Sequence, residues 1–224
     1  MREIAPEEIL GPLNEVEAKN SPKRLYVSGD LAFFDLGPRV SVVGSRQASE
    51  DGLKRARSLA RSLVEHGIVV VSGMAEGIDT AAHQSSIDSG GRTIAVLGNG
   101  LDRFFPASNR RLQEELLRSH LVVSQFPAGT SARRGNFPMR NRTMALLTDA
   151  TVIVEAGESS GTLHQGWEAL RLGRLLFLME SLTLREDLTW PKEMIRFGAQ
   201  VLARENLEDV LQAMPHRTRE RVAF

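Results

Sequence analysis

Four short segments combine glycine with small polar or basic residues: Gly44-Ser45-Arg46, Ser72-Gly73-Met74-Ala75-Glu76-Gly77, Gly98-Asn99-Gly100 and Ser159-Ser160-Gly161-Thr162. Glycine lets the backbone take positive φ and come close to a ligand. A helix starting just after such a turn adds unpaired N–H groups and a partial positive charge. Ser72-Gly73 leading to Gly77, and Ser160-Gly161-Thr162, therefore read as two anion cradles, and Arg46 adds a planar cationic fork. The chemistry implied is binding of a phosphate-bearing ligand or of a polyphosphate backbone. Glycines also serve plain turns. What favours a ligand is that all four segments follow predicted strands, on one edge of one sheet.

A second chemical feature is the stretch from Leu101 to Arg142, which carries eight arginines against three acids, a net +5 in a chain whose 28 basic and 28 acidic residues otherwise balance. Its densest part is Arg133-Arg134-Gly135-Asn136-Phe137-Pro138-Met139-Arg140-Asn141-Arg142. Arginine pairs with phosphates, asparagine bonds bases or phosphates, and phenylalanine stacks on an unpaired base. The plainer alternative is a solvated basic face with Phe137 and Pro138 packing a loop onto the core.

These residues need a frame. Val40–Val43, Ile68–Val71, Thr93–Leu97, Leu121–Val123, Thr151–Val154 and Leu175–Leu178 read as buried strands. Between them, Glu50 to Glu65 shows apolar residues at helical spacing (Leu53, Ala56, Leu59, Ala60, Leu63, Val64), with Gly67 as its stop. Helices are also predicted over Ile78 to Ile87, Asn109 to Arg118, Met139 to Leu147 and Leu163 to Leu172. Continuous apolar strands alternating with helices predict an α/β fold: a doubly wound, mostly parallel sheet covered on both faces, with right-handed crossovers. Residues 1–38, with Pro6, Pro12, Pro22 and Pro38, are expected as a mostly extended lead-in, residues 39–180 as the Rossmann-like core, and residues 181–224 as a capping tail with a helix near Leu207 to Met214. The basic stretch His216 to Arg221 is expected to fray.

Composition excludes several classes. With 42% hydrophobic and 25% charged residues the chain is neither disordered nor collagen-like. Cysteine is absent, so there is no thiolate metal site, redox pair or Cys nucleophile. No apolar run approaches the ~20 residues of a spanning helix, and the acidic start Met1-Arg2-Glu3-Ile4 is not expected to act as a signal peptide. No Gly-Lys-Ser/Thr of a Walker A loop occurs, and Arg46 and Gln47 stand where a dinucleotide fingerprint wants glycines. The five histidines show no i, i+4 zinc pair. Asp79 and His83 lie one helical turn apart and predict a structural hydrogen bond. A Ser72–His83–Asp79 triad lacks its Gly-x-Ser-x-Gly elbow.

Taken jointly, Gly44-Ser45-Arg46, Ser72 to His83, Thr93 to Gly98, Phe137-Pro138-Met139-Arg140-Asn141-Arg142 and Ser160-Gly161-Thr162-Leu163 resemble, in order and spacing, the DprA/Smf DNA-processing proteins. Ser21-Pro22-Lys23-Arg24-Leu25 with Gly29-Asp30, and Ile195 to Ala199 followed by Leu207 to Leu211, are similar to that family's first and last segments. The resemblance covers roughly residues 20–214. It implies an extended Rossmann-type fold that binds single-stranded DNA without ATP, any metal or another cofactor. It also implies protection of incoming strands, loading of a RecA-type recombinase in natural transformation, a homodimer and a cytoplasmic location. By position, Gly44, Ser45 and Arg46 would meet phosphate, as would Ser72, Gly73 and Gly77. Arg134, with Arg140, Asn141 and Arg142, would contact DNA. Phe137 would stack a base, Gly98 and Gly100 would let the strand approach, and Ser160, Gly161 and Thr162 would line the pocket. The helical N-terminal domain and C-terminal winged helix of many relatives are not expected in this sequence.

The alternative is an enzyme. The wider superfamily includes LOG-type phosphoribohydrolases, which act on nucleoside monophosphates through a Pro-Gly-Gly-x-Gly-Thr-x-x-Glu loop. Here Gly161-Thr162 fits, but Gln165 stands where the catalytic glutamate belongs, and an amide cannot do a carboxylate's proton work. Glu155 and Glu168 remain as nearby carboxylates.

Overall fold

Strands such as Ile68-Val69-Val70-Val71 are apolar on both faces and must be covered on both sides. The computed structural model, which describes residues 1–216, shows that arrangement. The chain begins with β1 (Arg2–Ile4), the short helices α1 (Glu7–Leu10) and α2 (Glu15–Asn20), and β2 (Leu25–Gly29). The alternating region follows: β3 (Arg39–Gly44), α3 (Glu50–Glu65), β4 (Val69–Ser72), α4 (Ile78–Asp88), β5 (Thr93–Leu97), α5 (Arg110–Ser119), β6 (Leu121–Ser124), α6 (Asn136–Leu147), β7 (Ala150–Glu155), α7 (Thr162–Arg171) and β8 (Leu175–Met179). The last described elements are α8 (Glu180–Thr183), α9 (Trp190–Arg196), β9 (Gln200–Leu202) and α10 (Leu207–Gln212).

The strands form one sheet in the order β1-β2-β6-β5-β4-β3-β7-β8-β9. From β6 to β9 every pairing is parallel, while β2 adds antiparallel to β6 and β1 antiparallel to β2. Alternation along β3 divides the core. Val40 and Val42 pack with Ala56, Leu59, Ala60 and Leu63 of α3 on one face, whereas Val43 packs with Met144 and Leu147 of α6 on the other. Ser49 caps α3 by accepting from the Gly52 N–H (2.9 Å), and Gly67 ends it at φ +68°. Leu59 and Leu63 are almost fully buried, each burial stabilising by about 1.5–3 kcal/mol. A buried ion pair, Arg39 with Asp149 (2.9 Å), joins the starts of β3 and β7, and Asp149 also accepts from the Arg39 backbone N–H (2.8 Å).

Two outer regions differ from expectation. The lead-in is not mostly extended: α2 forms behind a reciprocal capping box between Asn14 and Glu17, and α1 buries Ile9 and Leu10. Glu17 is itself buried and accepts from Arg174 (2.6 Å), tying the lead-in to the turn before β8. Helices of four and six residues are too short for a period to show. In the tail, α10 appears where a helix is predicted, preceded by α8, α9 and β9, which the apolar pattern does not reveal. The fraying expected over His216 to Arg221 falls, after His216, outside the described residues.

Candidate functional site

The chain leaves β3 towards β4 on one side of the sheet, while β7 lies on β3's other side and leads to β8. The loops after β3 and β7 therefore part, and a crevice opens between them, as open parallel sheets require at such a switch in strand order. Here it is a cleft of about 360 Å3. Its walls are Ser45 and Arg46 after β3, Ser159 to Thr162 ahead of α7, and Phe137, Pro138 and Asn141 of α6; Asp79, Met144 and Gln165 lie deeper. Phe137, Arg140, Asn141 and Met144 reach it together because residues three, four and seven apart share a helix face.

Phe137 is held from several sides. Asn136 Nδ2 donates to the Gly98 carbonyl (2.9 Å), fixing the first residue of α6 over the end of β5. The ring then rests on Gly98, where a Cβ would come within 3.0 Å of its Cδ1. The Arg46 guanidinium lies 5.1 Å from the ring centre, and the Phe105 ring 5.6 Å away, tilted by 37°. Arg46 is exposed. The result is a cation and an aromatic face together at the mouth of the cleft.

Other predicted residues do structural work instead. Arg140 is buried, 5% exposed. Its Nη1 donates to the carbonyls of Gly73 and Val96, and its Nε to Asn141 Oδ1 (2.9 Å). It stitches the ends of β4 and β5 beneath α6, with Nη1 and Nε both given to protein acceptors. Gly73 is glycine because a Cβ would fall 1.7 Å from that guanidinium. The loop after β4 is not an open anion cradle either. The Gly73 and Ala75 amides both donate to Asp79 (3.2 Å each), and the Ile78 N–H donates to the Ser45 carbonyl (3.2 Å). Ser72 is buried and donates to the Val42 carbonyl (2.7 Å). Gly77, at φ +76°, lets the start of α4 pack onto Ser45. Burial pushes the Asp79 carboxyl above the usual range, opposed by Arg140 and the two amides. Gly44 faces Ile78 and the Glu155 carbonyl, and the space beside Gly100 is taken by the Pro127 carbonyl. Gly98 and Gly100 thus make room for the protein's own ring and loop.

Arg142 does not line the cleft. It lies two residues from Arg140, on another face of α6, and its Nε pairs with Glu168 (3.3 Å). Arg134, with Arg133, is exposed in the loop leading into α6, outside the cleft walls. Asn141 Nδ2 donates to the Gly161 carbonyl (3.3 Å), and Thr162 Oγ1 to the Gly44 carbonyl (3.1 Å), clipping the β7 loop to α6 and β3. Ser160 Oγ accepts from the Thr162 N–H (3.2 Å). Nothing crowds Gly161 or Gly157, so this loop is the open wall. Ser159 and the exposed His164 also line the cleft. The sequence reading includes Ser159 in the loop motif but missed His164, which lies two residues after Thr162 and could have been found by extending that motif.

The three side chains considered for the enzyme alternative are each engaged elsewhere in the fold. Gln165 is sealed between the hydroxyls of Ser41 and Thr151 (3.3 Å each). Glu155 accepts from the Ser49 N–H (2.8 Å) and from Arg55 (3.4 Å), anchoring α3. Glu168 is shared by Arg142 and Arg171. The predicted Asp79–His83 bond is replaced: His83 Nδ1 pairs with Thr93 Oγ1 (2.7 Å) while Asp79 turns to the loop amides. Burial pushes the His83 imidazole down to about 3, with His120 and Arg140 adding to the effect. Among the described residues no group of His, Cys, Asp or Glu is placed to hold a metal, and no helix is long and apolar enough to cross a membrane.

This frame and these motifs match known proteins. The family model for DNA recombination-mediator protein A matches residues 6–215. The chain belongs to that family. DNA processing protein DprA of Streptococcus pneumoniae is 40% identical over 166 residues, 74% of this chain and 58% of that protein. The X-ray structure of the pneumococcal protein superposes with a TM-score of 0.81 at 33% identity, covering 96% of this chain and 74% of that one. DNA processing protein A from Helicobacter pylori, whose structure was described for its single-stranded DNA binding mode, superposes at 0.76 with 25% identity, over 94% of this chain and 92% of that one. The chain spans between 48% and 65% of the length of the curated relatives it matches.

Proposed function

We propose that this chain binds single-stranded DNA across the cleft at the β3–β7 switch, and acts on it by binding rather than by bond cleavage. The observation that carries the reading is the Arg46 guanidinium laid over Phe137 at the cleft mouth, 5.1 Å from the ring centre. A sequence-tolerant single-strand binder needs a phosphate-neutralising cation beside a stacking face, not a reactive dyad. Arg134, three residues before Phe137 and exposed, is the next phosphate partner; Ser45, Ser160, Gly161 and Thr162 line the wall on which the backbone would lie. The single-strand binding described for the H. pylori relative supports this. The burial of Gln165 argues against the hydrolase alternative. The family's designation as a recombination mediator supports the wider reading: two copies of the chain protecting a strand and passing it to a RecA-type recombinase in the cytoplasm.

The test is fluorescence anisotropy of labelled oligo-dT across a salt series. Affinity should fall with salt at a slope of about −0.7 per phosphate neutralised, and Arg46→Ala or Arg134→Ala should flatten that slope with the fold intact. Unchanged affinity and slope in both variants overturns the assignment. Incubation with AMP addresses catalysis: released adenine overturns the binding-only reading.

A further inference from the structure

Three hollows run into one another along the rim. The cleft shares Arg46, Phe137 and Arg140 with a narrow recess of about 70 Å3 beside Phe105, and Phe105 is also a wall of an open trough of about 480 Å3. In that trough the Arg110 guanidinium lies 4.7 Å from the centre of the Phe104 ring. The arrangement repeats Arg46 over Phe137, and the Phe105–Phe137 contact connects the two pairs. Phe105 is 42% exposed, a large ring left in solvent between two arginine-covered rings. Two acids moderate the charge here: Asp102, beside Arg103 (3.7 Å), accepts from the Gly129 N–H (2.8 Å), and Glu114 holds Arg110 Nε (2.9 Å). With its cations partly matched, the trough offers planar faces more than net charge.

We propose that this trough is a second single-strand subsite. A strand leaving the cleft crosses Phe105 and seats a further base against the Arg110 guanidinium plane, which Phe104 backs. A guanidinium resting on a ring presents its other face to a base, and such stacking tolerates any sequence. The proposal rests on the cleft reading above but makes a separate demand: the trough contributes only when the bound strand is long enough to reach it.

The experiment is anisotropy with oligo-dT of about four and about sixteen nucleotides on wild type, Arg110→Ala, Arg110→Lys and Phe137→Ala. Arg110→Ala should hold the short oligonucleotide within about twofold of wild type and weaken the long one by about fivefold or more. Arg110→Lys, which keeps charge but loses the plane, should behave like Arg110→Ala. Ser131→Glu, exposed in the same trough, is the second probe and should show the same length dependence; thermal melts check that each variant folds. Equal losses at both lengths, or full affinity of both Arg110→Ala and Ser131→Glu for the long strand, overturns the subsite. Phe137→Ala should weaken both lengths. If it weakens neither, the cleft reading fails on its own, and the Arg110 comparison still decides the trough.

Discussion

Phe137 sits on Gly98 beneath Arg46, with Phe105 at its side, and in the proposed reading it is the ring that a base stacks on. Phe137→Ala should cost about 1–3 kcal/mol of oligo-dT binding while leaving the urea midpoint little changed, measured by anisotropy and equilibrium unfolding. Arg140 makes the opposite prediction. Its buried guanidinium satisfies the Gly73 and Val96 carbonyls, so Arg140→Met should destabilise folding by about 3–5 kcal/mol, read by urea denaturation, because it strands those acceptors and Asp79. The two positions also show how far residue types carry. Arg46 and Phe137 were legible because strand ends and helix starts fix where they project. Arg140 and Arg142 were not separated by type, although successive helical residues turn by about 100°, so a pair two apart cannot both face one cleft. Phase along α6 held that information, and residue identity did not.

Among the elements, α10 is held to α3 by His66 Nε2 against Glu208 (3.0 Å). The Ser62 carbonyl, bonded to the other ring nitrogen, and the Glu208 carboxylate raise the His66 imidazole above its ordinary value. A group raised on folding stabilises while it is protonated. The tie is therefore fully present below about pH 6.5 and fades as pH rises through the elevated folded value. Hydrogen exchange of the α10 amides, corrected for intrinsic rates, should show protection lost as pH rises above about 6.5, and His66→Gln should abolish that dependence. The central strands were legible as short apolar runs, and α3, α4, α5 and α7 because each carries at least three apolar residues at helical spacing. Helices α1, α2, α8 and α9 run four to seven residues. Their stability comes from caps and tertiary contacts, which no local pattern records.

For the molecule as a whole, acid is the expected weakness. His83 is buried and neutral, its imidazole pushed down to about 3 by burial before any other cause, and His120 is lowered by burial and by Arg92. An imidazole whose folded value lies below its unfolded one stabilises the fold above the unfolded value and withdraws that support as pH falls. For His83, the proton that the fold refuses between about pH 6.5 and about 3 costs about 1.4 kcal/mol per pH unit, and His120 acts in the same direction. Urea midpoints should therefore drop steadily from pH 7 to pH 5, and a flat profile would contradict the buried neutral ring. The doubly wound class was readable from strand and helix alternation. The antiparallel addition of β1 and β2 was not, because a short strand beyond the repeating units carries no sign of which edge it will join. That addition has a consequence for solution behaviour. The sheet ends on one side at β1 and on the other at β9, each three residues long. Ragged borders this brief give a neighbouring chain almost no ladder to extend, so concentrated protein should remain free of fibrils growing laterally from native sheets.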